Sequence, residues 1–474
     1  MRRIGILCAA VLRISTACGA SGSETGKEDG STTTAASTPA ESGTDVADFG
    51  DLTTPCGPGD LSVDPAEQGR GADKLYIGVG NDRTSTLRPG LQKPLWDASA
   101  AFAAWCNAQG GVGGLQIEIV DLPAALFDVE AAMTTACTDV FAMVGGGMAQ
   151  DNLQFSGKDG SDFHKCGLVD IPAYAVSTEK SGSNGQVQPL PNPSTSVTNT
   201  WFRDFKKLYP DDAKNWSVAW GDIPSLEIPK LKYEAAVNDV GGMDTVAAVP
   251  YPVVGTTDWA PLGLSLLDKG ATSLTWVGDS ADLSRVLATM REQGWKGTPL
   301  LETTAYDPTL FASGPEAVEG SVINLYDHPL EEADQWPATQ KYIDLMDEFA
   351  PDGDKAVLGI NSMSAWLLFV TAANACGEKN NGVLDRACII EQAAAVDDWT
   401  GGGLHAATNP EDGPNAKAGP CAMLLIVKDG KFERLFPEID GADDDGGGFH
   451  CPADGVTEVT ADVGQPNIDP TRPS

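Results

Sequence analysis

The chain has 474 residues, and its 67 acidic side chains against 31 basic ones give a formal net charge of −36 at pH 7. So negative a surface repels phosphate backbones and anionic lipids, which excludes nucleic acid as a partner. We interpret the charge as a solvated acidic surface that keeps the protein soluble.

Residues 1–17 have the layout of a bacterial export signal. A basic start at 1–3 precedes an apolar run at 4–12, which is too short to span a bilayer permanently. The tetrad Ser-Thr-Ala-Cys at 15–18 resembles a lipobox, so Cys18 is predicted to become a lipidated residue that attaches an exported protein to the membrane. The alternative is a cleaved signal with a soluble product.

Residues 18–55 are predicted to form a disordered linker behind the lipidation site. The stretch is small and polar, and its first aromatic residue is Phe49. It lacks the apolar surface that a packed structure must bury. A flexible tether of roughly 35 to 50 residues could hold a folded domain tens of ångströms from the membrane.

The region from Trp96 to Gly147 predicts consecutive βαβ units. A helix-period run ends in a glycine turn at 107–111, strand 115–120 follows, and a second helix leads into strand 141–144. With 75–79 as the first strand, the pattern requires crossover helices between parallel strands, which is typical of a doubly wound sheet. Ligands on such sheets bind at the carboxyl ends of the strands.

The second half of the chain repeats this α/β pattern. Predicted strands cover 216–220, 245–249, 273–277 and 299–302, and predicted helices cover 224–240, a run ending at 267, and 281–293. A long apolar helix at 361–376 and a strand pair at 422–431 complete the pattern. Two α/β halves predict two lobes, and the cleft between them is the default ligand site.

Ten cysteines indicate an oxidising compartment. Apart from Cys8 and Cys18, the remaining eight are predicted to form disulfides: Cys56, Cys106, Cys137, Cys166, Cys376, Cys388, Cys421 and Cys451. The sequence alone does not choose among the pairings that eight cysteines allow. Sheet topology favours Cys137 with Cys166, and proximity favours Cys376 with Cys388 and Cys421 with Cys451. Cys56 then remains for Cys106.

Several phrases carry a family resemblance that covers residues 74–436. They include NAQGGVGGLQIEIV at 107–120, a Thr-Asp-aromatic step at 257–259, MREQGWKGTPLL at 290–301 and the long helix at 361–376. Together they resemble the type I periplasmic binding proteins, in particular the substrate-binding proteins of branched-chain amino acid ABC transporters.

This resemblance implies an α/β fold of two doubly wound parallel-sheet lobes, with a hinge and an interlobe cleft that closes on its ligand. By analogy with the family, the first lobe holds 74–198 plus 322–405 and the second holds 199–321 plus 406–440. Residues 441–474 are then an acidic, disulfide-tied extension at the carboxyl end.

The family also implies ligand contacts on two loops of the first lobe, which hold a ligand carboxylate through hydroxyls and amides. The candidates here are Gly147, Met148, Ala149, Gln150, Ser177 and Thr178. Close packing is the alternative role for the glycine, and helix capping is the alternative for Ser177 and Thr178. Glu179 stands where the family has a threonine, which argues against a simple α-amino acid ligand.

Across the cleft, the loops after two strands supply Asp279, Glu302 and Thr304 as candidates. Capping of the helix that begins at 281 is the alternative role for Asp279. With so many acids and few matching cations, a polyol, amide, polyamine or other cationic solute fits as well as leucine.

The survey for catalytic and metal motifs is negative. The chain has no HExxH, no GxSxG and no phosphate-loop continuation after the glycines at 145–147, and its acidic run at 440–448 lacks the ligand pattern of an EF-hand. We therefore predict neither enzyme activity nor a metal or cofactor. The predicted function is delivery of a small polar solute, an amino acid or related amide or amine, to an ABC permease. A ligand sensor of the same fold that acts through a partner protein is the alternative.

Overall fold

A computed structural model describes residues 47–155 and 162–472, in which strands and helices alternate. The predicted signal, Cys18 and the linker as far as residue 46 lie outside the described residues. The strands are β1 (Ser62–Val63), β2 (Lys74–Asn81), β3 (Gln116–Pro123), β4 (Ala142–Val144), β5 (Asp170–Ile171), β6 (Ser196–Thr198), β7 (Asn215–Gly221), β8 (Asp244–Tyr251), β9 (Ser273–Val277), β10 (Thr298–Leu301), β11 (Val322–Leu325), β12 (Val383–Leu384), β13 (Met423–Lys428), β14 (Lys431–Phe436) and β15 (Val456–Glu458). The helices are α1 (Lys93–Ala108), α2 (Val129–Asp139), α3 (Asp151–Phe155), α4 (Asp162–Lys165), α5 (Thr178–Ser181), α6 (Thr200–Leu208), α7 (Pro224–Val240), α8 (Ala260–Asp268), α9 (Ser280–Glu292), α10 (Pro315–Val318), α11 (Pro337–Phe349), α12 (Val357–Lys379) and α13 (Arg386–Ala394).

The first lobe contains a four-stranded parallel sheet in the order β3-β2-β4-β5. Alternate side chains of β2 are apolar and fully buried, at Leu75, Ile77 and Val79. Helices α1 and α12 pack together beside this sheet, where the ring of Phe102 stacks on Trp366 with centroids 5.3 Å apart. The predicted βαβ units therefore form as expected.

The second lobe contains a seven-stranded sheet in the order β14-β13-β11-β10-β9-β7-β8. Its strands are parallel except for the pairings of β13 with β11 and with β14, which are antiparallel. Residues 322–325, which we assigned to the first lobe, belong to this sheet as β11. All four residues of β11 are buried, and the strand lies between β10 and β13 in the interior of this sheet.

Ordered structure begins before residue 55, where we expected the linker to end. The ring of Phe49 is fully buried, and its centroid lies 6.0 Å from that of Trp105 in α1. The backbone amide of Asp51 donates to the carbonyl of Gly402 at 3.0 Å. Residues 47–55 therefore belong to the first lobe, since an aromatic anchor gives this polar segment apolar surface to bury.

All four expected disulfides are present. They join Cys56 to Cys106, Cys137 to Cys166, Cys376 to Cys388, and Cys421 to Cys451. The first bond ties the amino-terminal segment to α1, and the last ties the carboxyl-terminal extension to the start of β13.

Residues 451–472 form a segment that we call the C-terminal strap. It leaves the second lobe at Cys451, and its strand β15 pairs antiparallel with β6. It then crosses the first lobe, where the Thr178 hydroxyl donates to the Val463 carbonyl and Arg472 donates to the Leu168 carbonyl. The C-terminal strap is thus packed against both lobes.

Helix α12 is long and apolar enough to cross a membrane by length and composition. Most of it is buried within the protein against α1 and the first sheet. This burial is typical of the core helix of a globular domain.

Candidate functional site

A cavity of about 460 Å³ lies between the two lobes. Loops that follow β5, β8, β9 and β10 line it, and their positions agree with the rule that ligands bind at the carboxyl ends of parallel strands. The lining residues from these loops include Ala173, Tyr174, Val176, Tyr251, Val253, Gly278, Asp279, Glu302, Thr303 and Thr304. The cavity therefore occupies the interlobe cleft that the sequence predicts.

The cavity walls are mainly apolar. Leucine, valine, proline, alanine and tyrosine supply more than half of the lining residues, including Leu91, Leu126, Leu190, Leu226, Tyr233 and Tyr326. The volume equals that of roughly 15 liquid water molecules at about 30 Å³ each. A leucine molecule, with about nine non-hydrogen atoms, would leave much of this space unfilled.

Glu302 is an acidic group on the cavity wall, directly after β10. Its carboxylate accepts hydrogen bonds from the Tyr233 hydroxyl at 2.6 Å and the Thr304 hydroxyl at 2.8 Å. Burial raises the pKa of Glu302, and these hydrogen bonds oppose that rise. Both carboxylate oxygens are thus already engaged by the protein.

Lys232, on α7, places a basic group in the same wall. The residue is 3% exposed, and its ammonium donates to the Asn192 side-chain oxygen at 2.5 Å. Burial lowers the pKa of Lys232 to about 7, while the charge of Glu302 acts in the opposite direction. Asn192 belongs to the first lobe, so this hydrogen bond links the two lobes.

Our sequence reasoning missed Lys232, although its helix carried a usable signal. Leu226, Pro229 and Lys232 recur every three residues, and Tyr233 shares their face. A lysine at helical spacing on an otherwise apolar face is a candidate for an inward-facing charge. Lys230, two positions earlier, lies on a different face and pairs with Glu234 at 2.9 Å.

Asp279 lines the cavity and also caps a helix. Its carboxylate accepts from the backbone amides of Ala281 at 2.8 Å and Asp282 at 3.3 Å, at the start of α9. The structure thus shows the capping role that the sequence left as the alternative.

Direct contacts hold the two lobes together around the cavity. Arg88 of the first lobe forms an ion pair with Asp282 of α9, and its Nε donates to the Val253 carbonyl at 2.9 Å. The Ser225 hydroxyl of α7 donates to the Ala149 carbonyl at 2.5 Å. The two lobes are therefore in contact around a cavity that is partly open to solvent.

Of the nine predicted ligand-binding residues, the structure brings four together at the cavity: Ala149, Asp279, Glu302 and Thr304. The remaining five do not line it: Gly147, Met148, Gln150, Ser177 and Thr178. For these five, contact with a ligand stays a prediction, and the structure shows what each side chain contacts instead of the cavity.

The first group of these residues lies on the glycine loop after β4. A side-chain Cβ at Gly147 would stand 2.2 Å from the Tyr174 ring, so the glycine makes room for a tyrosine that does line the cavity. Met148 is 1% exposed and packs in the first-lobe core, and the Gln150 amide donates to the Leu126 carbonyl at 2.6 Å. These three residues therefore pack behind the residues that line the cavity.

The second group of these residues lies at the start of α5. The Ser177 hydroxyl caps this helix by accepting from the Lys180 amide at 3.2 Å, and the Thr178 hydroxyl is engaged by the C-terminal strap. The strap lies outside the family resemblance, so the family pattern could not anticipate that it covers this loop.

Comparison with known proteins places this architecture in a family. The sequence model of the periplasmic binding protein family matches residues 74–431, which is more than half of the chain. A search among curated proteins finds no match to the sequence.

Solved structures share the fold at low identity. A leucine binding protein from Thermotoga maritima aligns with a TM-score of 0.59 and 16% identity, covering 76% of this chain and 98% of that one. A branched-chain amino acid ABC transporter protein from Thermus thermophilus with bound valine aligns at 0.62 and 14%, covering 77% and 96%. A fatty acid ABC transporter substrate-binding protein from Thermomonospora curvata aligns at 0.62 and 18%, covering 86% and 97%. At these identities the likeness establishes the fold and leaves the ligand open.

Proposed function

The chain belongs to the periplasmic binding protein family, and from this premise we propose that it delivers a small solute to the permease of an ABC importer. The observation that carries the proposal is the cavity of about 460 Å³ between two lobes at the ends of parallel strands. In this role the protein binds and releases its ligand without chemical conversion. Similar structures whose names state ABC transport support this role.

Ligand capture is proposed to proceed by hinge closure. The cavity walls come from both lobes, so separation of the lobes would open it to solvent. The Arg88–Asp282 ion pair and the Ser225 hydrogen bond to Ala149 would form on closure and break on opening. A ligand that bridges the lobes would favour the closed state through its contacts with both.

The ligand is proposed to combine a polar group with an apolar part. The sequence pointed to a small polar solute, and the polar side chains of Glu302, Lys232 and Asp279 line the cavity. The volume and the leucine- and tyrosine-rich walls favour a ligand larger and more apolar than a single amino acid. The names of the similar structures span this range, from leucine and valine to a fatty acid.

We further propose that the protein works outside the cytoplasm and is attached to the membrane through lipidated Cys18. The family assignment and the four disulfides support an extracytoplasmic, oxidising location. Mass spectrometry of the protein extracted from its native membrane would test the anchor, because a lipidated chain begins at Cys18 and carries acyl mass.

Thermal unfolding against a solute library tests the binding function. A ligand that binds the native state alone raises the unfolding free energy, by about 2.7 kcal/mol at 100 times its dissociation constant. We expect at least one amphipathic class to raise the midpoint of the wild-type protein. If no solute does so, the proposed function is wrong.

A matched pair of variants tests whether the ligand binds in the cavity. Ala407 is exposed and lines the cavity, so A407W should narrow it and weaken binding. Ala395 is exposed and does not line the cavity, so A395W should leave binding unchanged. Equal affinities for the two variants would place the ligand elsewhere on the protein.

A further inference from the structure

Lys232 stands out among the cavity side chains because its charge is incompletely satisfied. An ammonium group has three donors, and the structure gives the Lys232 ammonium one acceptor, the neutral amide oxygen of Asn192 at 2.5 Å. Within residues 47–155 and 162–472, no carboxylate forms an ion pair with it. Asn192 is itself fixed, because its amide nitrogen donates to the Ala175 carbonyl at 2.8 Å.

Burial lowers the pKa of Lys232 to about 7 and leaves its side-chain nitrogen one acceptor, so an anion bound beside it would stabilise the charged form. Glu302 acts on Lys232 through space, but within the described residues its carboxylate forms no ion pair with Lys232 and accepts instead from the Tyr233 and Thr304 hydroxyls. Asn192 could accept equally well from a neutral donor, so the hydrogen bond between the lobes does not by itself require a lysine. The two donor positions left on Lys232 match the oxygens of a bound anion.

The acids around the cavity are each engaged by the protein. Asp279 caps α9, Asp307 accepts from the Thr309 amide at 2.7 Å, and Asp354 pairs with Lys93 at 3.3 Å. The bonds of Asp279 and Asp307 use one oxygen of each carboxylate, Oδ1. Arg88, the other basic residue of the wall, is already paired with Asp282, so Lys232 is the cavity cation with donors left for a ligand anion.

Resting on the proposed function, we propose that the cavity binds an amphipathic monocarboxylate, with its carboxylate on Lys232 and its apolar body against the leucine- and tyrosine-rich walls. A volume equal to that of roughly 15 water molecules accommodates a medium-length alkyl or aryl chain. Burial of that chain supplies affinity, and the charge on Lys232 selects the head group.

Head-group selectivity on the wild-type protein is the first test. Isothermal titration with decanoate, decanamide and decylamine, all below their aggregation concentrations, varies the head group while keeping the alkyl chain. We expect decanoate to bind at least roughly tenfold more tightly than the amide, and the amine to bind more weakly still. Equal binding of decanoate and decanamide, or tighter binding of decylamine, overturns the proposal without any variant.

Replacement of the lysine is the second test. K232M removes the charge and keeps the length, and we expect decanoate affinity to fall by about 10- to 100-fold while decanamide affinity changes little. The ligand-free variant should be at least as thermostable as the wild type, because methionine replaces a buried, poorly paired charge. K230M on the same helix removes a lysine that pairs with Glu234, so it should keep decanoate affinity.

The possible outcomes separate this inference from the function on which it rests. If K232M keeps full decanoate affinity, the site assignment is wrong. If decanoate fails to bind but leucine, valine or another solute does, and A407W blocks that solute, then the ligand class is wrong while solute binding stands. If nothing binds, both proposals fail.

Discussion

At the scale of single residues, Asp279 both lines the cavity and caps a helix. It faces the cavity, and its oxygen Oδ1 accepts from two amides of α9. Since that oxygen serves the helix, we expect Asp279 to contribute more to stability than to binding.

Two substitutions separate these roles. D279A removes the cap and should lower the unfolding free energy by about 0.5–2 kcal/mol, whereas D279N keeps an acceptor in place and should stay close to the wild type. Neither should change decanoate affinity by more than a few-fold. Chemical denaturation and titration calorimetry check these outcomes, and a loss of more than roughly tenfold in D279N would restore the ligand role.

Asp327 is a second residue whose environment makes a testable prediction. It is fully buried after β11, and within the described part of the chain neither of its carboxylate oxygens has a hydrogen-bond partner. Burial raises the pKa of Asp327 well above its ordinary value. An acid with a raised native pKa favours the folded state below its unfolded pKa, near 4, and loses that contribution as the pH rises through its native pKa.

Removing the ionisable group should raise the melting temperature by an amount that depends on pH. D327N should melt at nearly the wild-type temperature at pH 4 and above it at pH 8, where the buried carboxylate is most costly. Differential scanning calorimetry at pH 4 and pH 8 measures the difference in melting temperature between D327N and the wild type. D334N, at an exposed aspartate, is the control and should show no such trend. A gap that is equal at the two pH values would contradict the argument.

At the scale of elements, periodicity predicted most of the architecture. The predicted helix at 224–240 and strand at 273–277 agree with α7 and β9 to the residue, because long apolar patterns and glycine or proline boundaries identify such elements. The assignment of 322–325 to the wrong lobe was an error of topology. The order in which strands join a sheet depends on long-range packing, which local periodicity does not report.

The site was less predictable than the fold. Asp279 and Glu302 were predicted as ligand contacts because they directly follow strands, and both line the cavity. Thr178 lies away from the cavity because a segment nearly 300 residues later covers it, a contact that no local pattern contains. Lys232 was missed because our search considered loops alone, whereas α7 also forms part of the wall.

The loop that carries Arg88 and the start of α9 form the main polar contact across the cleft. Arg88 and Asp282 are largely buried, with side-chain exposures of 11% and 1%. Removing one partner of so buried a pair is more disruptive than breaking a surface ion pair. We therefore expect this contact to bias the hinge toward closure.

R88M should reduce affinity for any ligand of the cavity by roughly tenfold, because a smaller fraction of the protein would be in the closed state. R285M is a matched control, since Arg285 pairs with the same Asp282 but is half exposed and lies within α9. Calorimetry gives the affinities, and small-angle scattering of the ligand-free variants gives the extent of opening. Unchanged affinity and scattering in R88M would show that the pair does not govern closure.

At the scale of the whole molecule, the C-terminal strap adds a connection that the two lobes alone would lack. It starts at the Cys421–Cys451 disulfide, pairs with β6 where the chain crosses between lobes, and ends on the first lobe at Arg472. A hinge opens by letting such crossings bend. Because β15 of the strap is hydrogen-bonded to β6 at one of these crossings, the strap should limit how far the lobes separate.

A chain truncated after Ala453 removes β15 and everything beyond it. We expect its unfolding free energy to fall by about 1 kcal/mol or more, because several hydrogen bonds are lost, including the ladder to β6 and the bond from Thr178 to Val463. Hydrogen exchange should accelerate at 177–187 and 196–198, the segments the strap covers. The double variant C421S/C451S keeps the strap residues and should retain more of that protection. If the truncated protein exchanges at the wild-type rate in both segments, the strap is a passive extension and hinge opening is limited by the lobes themselves.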